Sequence, residues 1–430
     1  MDTQGEEIME LDLKYGKGTI KVQIPESADA DILEPNHMPP VSSIHQELSN
    51  ALTNLSDSET AIIDRLRRAS TVAIAIPDET RPLPVKKILP VLLDWLFANL
   101  PDLDPENVVI LVGGGLHPPL DKQTLERLVP LDISRGCSVA GHDANTSSMV
   151  EYGHTSRGTP VRINKLIAEA DFKIAVGQID PHQFVGFTGG SKGIIIGCGS
   201  SATIEHNHSL MFHEKARVGV IHGNPVREDL NEAGEMVGVD LAVNFIMAPT
   251  KEVVQVLAGE PLKMLLEGAK TCAALYGVEI EDEFDIVIAS CGGYPKDICL
   301  YQAQKGLNLA SQAVKKGGHI LLLAASTQGV GDDVYFDYVS QFTSPAEVLA
   351  DFKEQGFRMG AHKAYLFGRT LNQFDVAVSS ELDPGVLQKC HLRSADPSRV
   401  IGEWVDAFEK KPKIGVIPNA NTTYFYRSAQ

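Results

Sequence analysis

Several short segments combine ionisable side chains with small residues at spacings suited to proton transfer and anion binding. PDETRP (77–82) places a carboxylate, a hydroxyl and a guanidinium at Asp78, Thr80 and Arg81. GGGLHPP (113–119) presents His117 after three glycines, and QIDPH (178–182) ends at His182. An imidazole titrates near neutrality, so each His can take or give a proton at working pH. The densest segment is GFTGGSKGIIIGCGSSATIEHNH (186–208), a glycine loop carrying Lys192 and ending at His206 and His208. It is not a Walker A loop, because Ser191 separates Gly190 from Lys192 and no Gly-Lys-Ser/Thr follows. It is not GxGxxG either. On a strand, His206 and His208 would share a face and could hold a metal. Metal sites usually need three or four protein ligands, and no compact third is evident, although Glu205 and His213 are near. A metal with one protein ligand would need a cofactor to supply the rest. Finally, CGGYPKDICLYQAQKGL (291–307) spaces Gln302 and Lys305 three apart on one helix face near its start. A helix N-terminus favours anions, and a Lys there suits a carboxylate.

The elements that must position these groups alternate. STVAIAI (70–76) is a strand, 84–100 a helix, NVVILVGGG (107–115) a strand running into glycines, and 121–129 a helix. VRINKLIAEA (161–170) reads as helical and DFKIAVGQ (171–178) as a strand. A second series starts with strand FDIVIAS (284–290), helix 301–314 and strand GHILLLAAS (318–326). Before the first series, LDLKYGKGTIKVQIP alternates about Gly16 and Gly18 as a hairpin, and 43–69 carries helical spacing. Such βαβ alternation predicts an α/β protein of two α/β domains with mostly parallel sheets and an active site in the interdomain cleft. The expected domains are 1–270 and 281–430, with helical structure over 250–283 and a last strand, PKIGVIPN (412–419), able to pack on either. Ligands in open α/β sheets bind outside the carboxyl ends of the strands. Asp78, His117 and His182 each follow such an end.

Each group also has a structural reading. Asp-x-x-Arg after a strand is often a helix cap with a surface cation, a lone His after a glycine turn is often structural, and a glycine loop can be idle surface. Two His at equivalent strand ends favour function.

Composition bounds the classes. A chain of 430 residues can bury a large core, and 43% hydrophobic with 22% charged residues is ordinary for a globular protein. A net charge of −18 argues against nucleic acid and against an anionic membrane surface. Cys137, Cys198, Cys272, Cys291, Cys299 and Cys390 form no CxxC, which reads as reduced thiols in a cytoplasmic protein. The acidic start has no signal-peptide core, and no run of 18 apolar residues predicts a membrane span.

Taken in order, the motifs DxTR (78–81), GxH (115–117), PHxxxGFxGGxK (181–192), a downstream His and GGYPxDxxLYQxxK (292–305) resemble the nickel-dependent lactate racemase family, and GAHKA (360–364) looks similar too. The likeness spans about residues 70–310; the segments 181–192 and 292–305 are its specific parts. It implies a racemase or epimerase of lactate or a related small 2-hydroxy acid. It implies that Lys192 anchors a nickel-pincer nucleotide (nickel pyridinium-3,5-bisthiocarboxylic acid mononucleotide) covalently, and that His208 is the one protein ligand to nickel. His117 and His182 would be the two acid/bases. Asp78 and Thr80 would sit at the cofactor with Tyr301, and Arg81, Gln302 and Lys305 would hold the substrate carboxylate. The cofactor would exchange hydride with the substrate carbon, and maturation enzymes would be needed to make it. The chain departs from the family pattern at Pro118, where a basic residue is expected, at Cys299, in place of Asn, and at Ile196, in place of Pro. The departure at Pro118 bears on the substrate more than on the reaction.

Two other readings remain open at this level. One is a zinc hydrolase or lyase using His206, His208 and a distant ligand. The other is a non-catalytic nucleotide- or sugar-acid-binding protein whose glycine loop cradles phosphate.

Overall fold

A computed structural model describes residues 8–427. The chain forms two compact units, His37–Leu275 and a second built from the segment up to Asn36 together with Tyr276 onward. Among the described residues no helix is long and apolar enough to cross a membrane.

The His37–Leu275 unit is built on a six-stranded sheet in the order Val253–Gly259, Leu241–Met247, Phe172–Gln178, Val72–Pro77, Val108–Gly113, Ser138–Gly141. Every pair is parallel except the first. The inner strands read as unbroken apolar runs because helices cover both faces. Ile74 lies in register with Ile110 on one side and Ile174 on the other, and all three are fully buried. Helices Ile44–Ser58 and Val85–Asn99 pack Leu48, Leu52, Leu89 and Leu92 onto that surface. Each such side chain contributes about 1.5–3 kcal/mol on leaving water. A charge at Ile74 would have no partner there. From Val72–Pro77 the chain winds outward to Ser138–Gly141, then returns to build the opposite half from Phe172–Gln178. That reversal creates a switch point between Val72–Pro77 and Phe172–Gln178, and a crevice outside their carboxyl ends.

The second unit carries a six-stranded sheet with every pair parallel, ordered Arg393–Ser394, Asp375–Ser379, Val314–Leu323, Phe284–Ser290, Lys413–Ile417, Asp29–Ile32. The hairpin Ile8–Tyr15/Gly18–Pro25 turns at Gly16 (φ 53°) and buries Leu13, Val22 and Ile24 with Ile286 and Trp404. Its Gly16 N–H donates to Asp297 at 2.7 Å.

The two-domain α/β architecture is as expected, but its partition differs. The sequence reading places the N-terminal segment in the first domain, yet Asp29–Ile32 pairs with Lys413–Ile417 and completes the edge of the second sheet. The last strand therefore belongs to this sheet as well, between Phe284–Ser290 and Asp29–Ile32. Residues 161–170 are not one helix. Pro160–Asn164 pairs antiparallel with Met149–His154, burying Val161 and Ile163 on alternate positions, and only Lys165–Ala168 turns helical. Likewise 250–283 is helical only over Pro261–Tyr276, after the edge strand Val253–Gly259. Residues 43–69 break into two helices at Glu59.

Candidate active site

The switch-point crevice of the His37–Leu275 unit is a pocket lined by Asp78, Arg81, Gly113–Gly115, His117, Gln178, Asp180, Lys192 and Asn244. Strands Val72–Pro77, Val108–Gly113 and Phe172–Gln178 deliver most of these groups from their carboxyl ends or just beyond, Asn244 comes from the middle of Leu241–Met247, and Lys192 opens a short helix. The sequence-derived Asp78, Arg81, His117 and Lys192 therefore meet in one place.

Asp78 is 5% exposed, and both its carboxylate oxygens are engaged. Oδ2 accepts from His117 Nδ1 at 2.6 Å, while Oδ1 accepts from the Thr80 hydroxyl at 2.5 Å and the Thr80 N–H at 3.2 Å. Burial pushes the Asp78 carboxyl up, but the hydrogen bonds from His117 and Thr80 and the charges of His117 and Arg81 hold it below its ordinary value. An ionised carboxylate at Nδ1 keeps the proton on that nitrogen and leaves Nε2 able to accept one. The resemblance places Asp78 and Thr80 at a cofactor; here they brace His117. Gly114 keeps the pair uncrowded, since an added Cβ would lie 3.1 Å from Asp78 Oδ2 and 3.4 Å from His117 Cβ.

The glycine loop crosses the floor of the pocket and enters the short helix Lys192–Ile195. Gly189 has φ 92° and an added Cβ there would fall 2.5 Å from Ile179 Cγ1, so no other residue fits. Below the loop, Arg227 on helix Pro225–Val237 is fully buried and donates to the carbonyls of Phe187, Val185 (3.4 Å) and Gly189 (3.5 Å). Burial pushes its guanidinium down to about 9, still cationic at neutrality. Asn244 fixes the loop from the side, its Oδ1 accepting from the Gly190 N–H at 3.0 Å. That bond orients the amide, and its Nδ2 is buried without a hydrogen-bond partner in a residue that lines the pocket. Gln178 donates through Nε2 to Asp180, which leaves its buried Oε1 likewise unpartnered.

His182 and His208 both pack edge to face against Phe184, with ring centroids 4.6 Å and 5.0 Å from it. His182 Nδ1 accepts from the Val185 N–H at 3.2 Å, so its proton belongs on Nε2. His208 is buried. Burial, with a smaller push from the Lys192 charge, drives its imidazole down to about 3. Burial thus favours the neutral form, the one that ligates metals. The expected shared face of His206 and His208 does not exist, because both lie on helix Ser201–Ser209, where residues two apart point about 200° from each other. His206 is bound to Thr159 instead, at 2.9 Å. Among the described residues no group of three or more His, Cys, Asp or Glu could hold a metal ion, so the zinc reading lacks its ligand set.

In the second unit, Tyr301, Gln302 and Lys305 open helix Leu300–Ala310, as the spacing predicts. The helix end itself is not an anion site. The N–H groups of Leu300 and Tyr301 donate to the carbonyls of Gly329 (3.2 Å) and Val330 (2.9 Å). An anion here must be held by side chains. Cys299, where Asn was expected, makes no side-chain cap to this helix.

Sequence reasoning passed over Asn244, Gln178 and Arg227. Asn244 had a signal, a lone amide inside the apolar strand LAVNFIM. Arg227 had none, since in PVREDLNEAGEMV it reads as one more surface charge.

The family model of the lactate racemase N-terminal domain matches residues 15–219, and that of the C-terminal domain matches 280–422. The chain is 30% identical over 426 residues to a lactate racemase of Lactiplantibacillus plantarum, covering 95% of this chain and 98% of that one. It is 29% identical over 351 residues to the lactate racemase of Thermoanaerobacterium thermosaccharolyticum, covering 80% and 81%. A solved structure of the lactate racemase apoprotein from Thermoanaerobacterium thermosaccharolyticum superposes with a TM-score of 0.88 at 26% identity, over 97% of this chain and 100% of that one. A Thermotoga maritima crystal structure, at 17% identity and a TM-score of 0.64, shares the fold alone. The chain belongs to the lactate racemase family and is an isomerase of that family.

Proposed function

We propose that this isomerase racemises or epimerises a small 2-hydroxy acid, lactate or a close relative, with a nickel-pincer nucleotide held covalently by Lys192. The observation that carries the reading is a pocket joining Lys192 to an Asp78-braced His117. The residues fit such a group. The loop approaches closely because it is glycine, and Asn244 Nδ2 and Gln178 Oε1 offer an unpartnered donor and acceptor for its polar atoms. Lys192 would anchor it, His208 would ligate its nickel and Tyr301 would lie against it. When bound, it supplies the reversible hydride acceptor that no side chain can provide.

The chain's own residues handle the proton. Nε2 of His117 is the acceptor, because Asp78 keeps its proton on Nδ1. Nε2 of His182 carries that ring's proton, because a backbone N–H occupies Nδ1, so it can donate a hydrogen bond to the substrate oxygen. His117 is thus set to take the substrate hydroxyl proton and, as the imidazolium, to return one when the 2-keto acid is reduced, while His182 donates a hydrogen bond to the same oxygen. Arg81, Gln302 and Lys305 would hold the carboxylate through charge-assisted hydrogen bonds. Pro118 supplies no cation after His117, so substrates without a second anionic group are expected.

The test is chiral chromatography of single enantiomers of lactate and related 2-hydroxy acids, incubated with protein co-expressed with the cofactor's maturation enzymes. Conversion to the racemate, or to one epimer pair, supports the reading. No inversion of any acid by protein shown to carry the cofactor would overturn it.

A further inference from the structure

Lys363 is a buried cation that the proposed reaction does not use. It lies near the start of helix His362–Leu371, which packs against helix Leu300–Ala310, and it is 9% exposed. Its Nζ donates to Gln304 Oε1 at 3.0 Å and sits 5.1 Å from the centre of the Tyr301 ring. Both partners are neutral. Tyr301 and Lys305 are four residues apart, on one face of their helix, and Lys363 lies over that face. Lys305 is half-buried, and its charge is the like charge that Lys363 feels. A buried cation beside a like charge favours losing its proton, and a carboxylate arriving between them reverses that preference.

We propose that Lys363 and Lys305 form a two-lysine anion site in which binding of the substrate carboxylate at Lys305 is coupled to uptake of one proton by Lys363. The inference rests on the reading that Lys305 holds the carboxylate. The proton comes from solvent and converts the amine of Lys363 to an ammonium. No other bond changes. The groups facing Lys363 are Lys305, Cys299 and Tyr301 from the first helix and its cap, Asp332 from the loop ahead of helix Asp333–Val339, and His362 beside the Tyr301 ring. Burial first, then the Lys305 charge, pushes the Lys363 ammonium down to about 7, against opposing pulls from Cys299 and Asp332. The site thus stands where binding of an anion can change its charge. Since the charged form binds the anion, affinity falls as pH rises past neutrality, by up to about tenfold per pH unit.

The experiment is calorimetric titration of the cofactor-loaded enzyme with glycolate, an achiral 2-hydroxy acid, in buffers of different ionisation enthalpy at pH 7 to 9. Wild type is expected to take up a fraction of a proton per glycolate. Lys363→Met and Lys363→Arg should take up less, and the Arg variant, always charged, should keep its affinity at pH 9. The same proton uptake in both variants as in wild type would overturn the coupling alone. Unchanged binding by Lys305→Ala would overturn the carboxylate reading beneath it.

Discussion

Replacing Asp78 by Asn changes one carboxylate oxygen for an amide nitrogen and nothing else in size, yet the surrounding bonds decide which way the amide must face. The Thr80 N–H points at Oδ1 and can only donate, so the Asn carbonyl must take that position. The amide nitrogen then replaces Oδ2, 2.6 Å from His117 Nδ1. A donor now meets Nδ1, which must accept, and the imidazole proton moves to Nε2. Turning the amide over instead would leave donors opposed at Thr80, at about 1–3 kcal/mol for a buried unsatisfied group. His117 is therefore held in the tautomer that cannot accept the substrate proton. Loss of a general base is worth about 100- to 10,000-fold in rate, and an Asp-to-Asn change acting through the tautomer of a serine-protease His falls at the upper end. The assay is initial rates from each enantiomer by chiral chromatography, with KM and kcat separated and the adduct checked by intact mass. For a pair of enantiomers the equilibrium constant is unity, so kcat/KM must fall equally in both directions. The expected result is a kcat lowered by about 100-fold or more with the adduct retained. A kcat within about threefold of wild type would refute the tautomer argument. Loss of the adduct would instead place Asp78 at the cofactor.

Other substitutions test the supports of the same pocket. Arg227→Met removes the donor shared by three loop carbonyls and should destabilise the protein by about 3 kcal/mol in urea unfolding, since such buried acceptors cost about 1–3 kcal/mol each and two of these bonds are long. An unchanged midpoint would mean the loop does not depend on Arg227. Arg81→Lys should raise KM for the acid several-fold, because a point charge does not replace a planar fork; unaltered kinetics would remove Arg81 from the site. His142, whose Nε2 bonds the Gly199 carbonyl just before the helix that carries His208, is lowered from its ordinary value of 6.5 by burial, against the pull of that carbonyl and Asp143. Its folded value lies below its unfolded one, so the stability it contributes is present above about pH 6.5 and is lost as pH falls through the folded value. Urea midpoints from pH 8 to 5 should drop less steeply for His142→Asn than for wild type, and parallel curves would contradict this.

The residues at strand ends were legible because inner strands of a parallel sheet are apolar on both faces and stop abruptly. VAIAI and ILV are unmistakable, and the groups just past their ends, Asp78 and His117, have to lie on one rim. The glycine loop with Lys192 stood out by its poverty in charge. The illegible part was non-local. Asp29–Ile32 is four residues of weak β character, and it becomes a strand only because Lys413–Ile417, from the far end of the chain, leaves an edge to pair with. Residues 161–170 misled because Ile163, Leu166 and Ile167 mimic helical spacing, while the alternation of Val161 and Ile163 decided the outcome. His206 and His208 misled for the converse reason, since the two-residue spacing means a shared face only on a strand. Arg227 and Lys363 are buried cations whose partners are carbonyls, an amide and a ring, and nothing local in sequence marks a charge as internal.

The most direct test of the central claim is intact mass with peptide mapping and metal analysis, on protein co-expressed with the maturation enzymes. The account predicts an added mass on Lys192 with equimolar nickel, the adduct lost in Lys192→Ala, and nickel lost with the adduct kept in His208→Ala. An unmodified chain without nickel, beside a family member loaded under the same conditions, would contradict it.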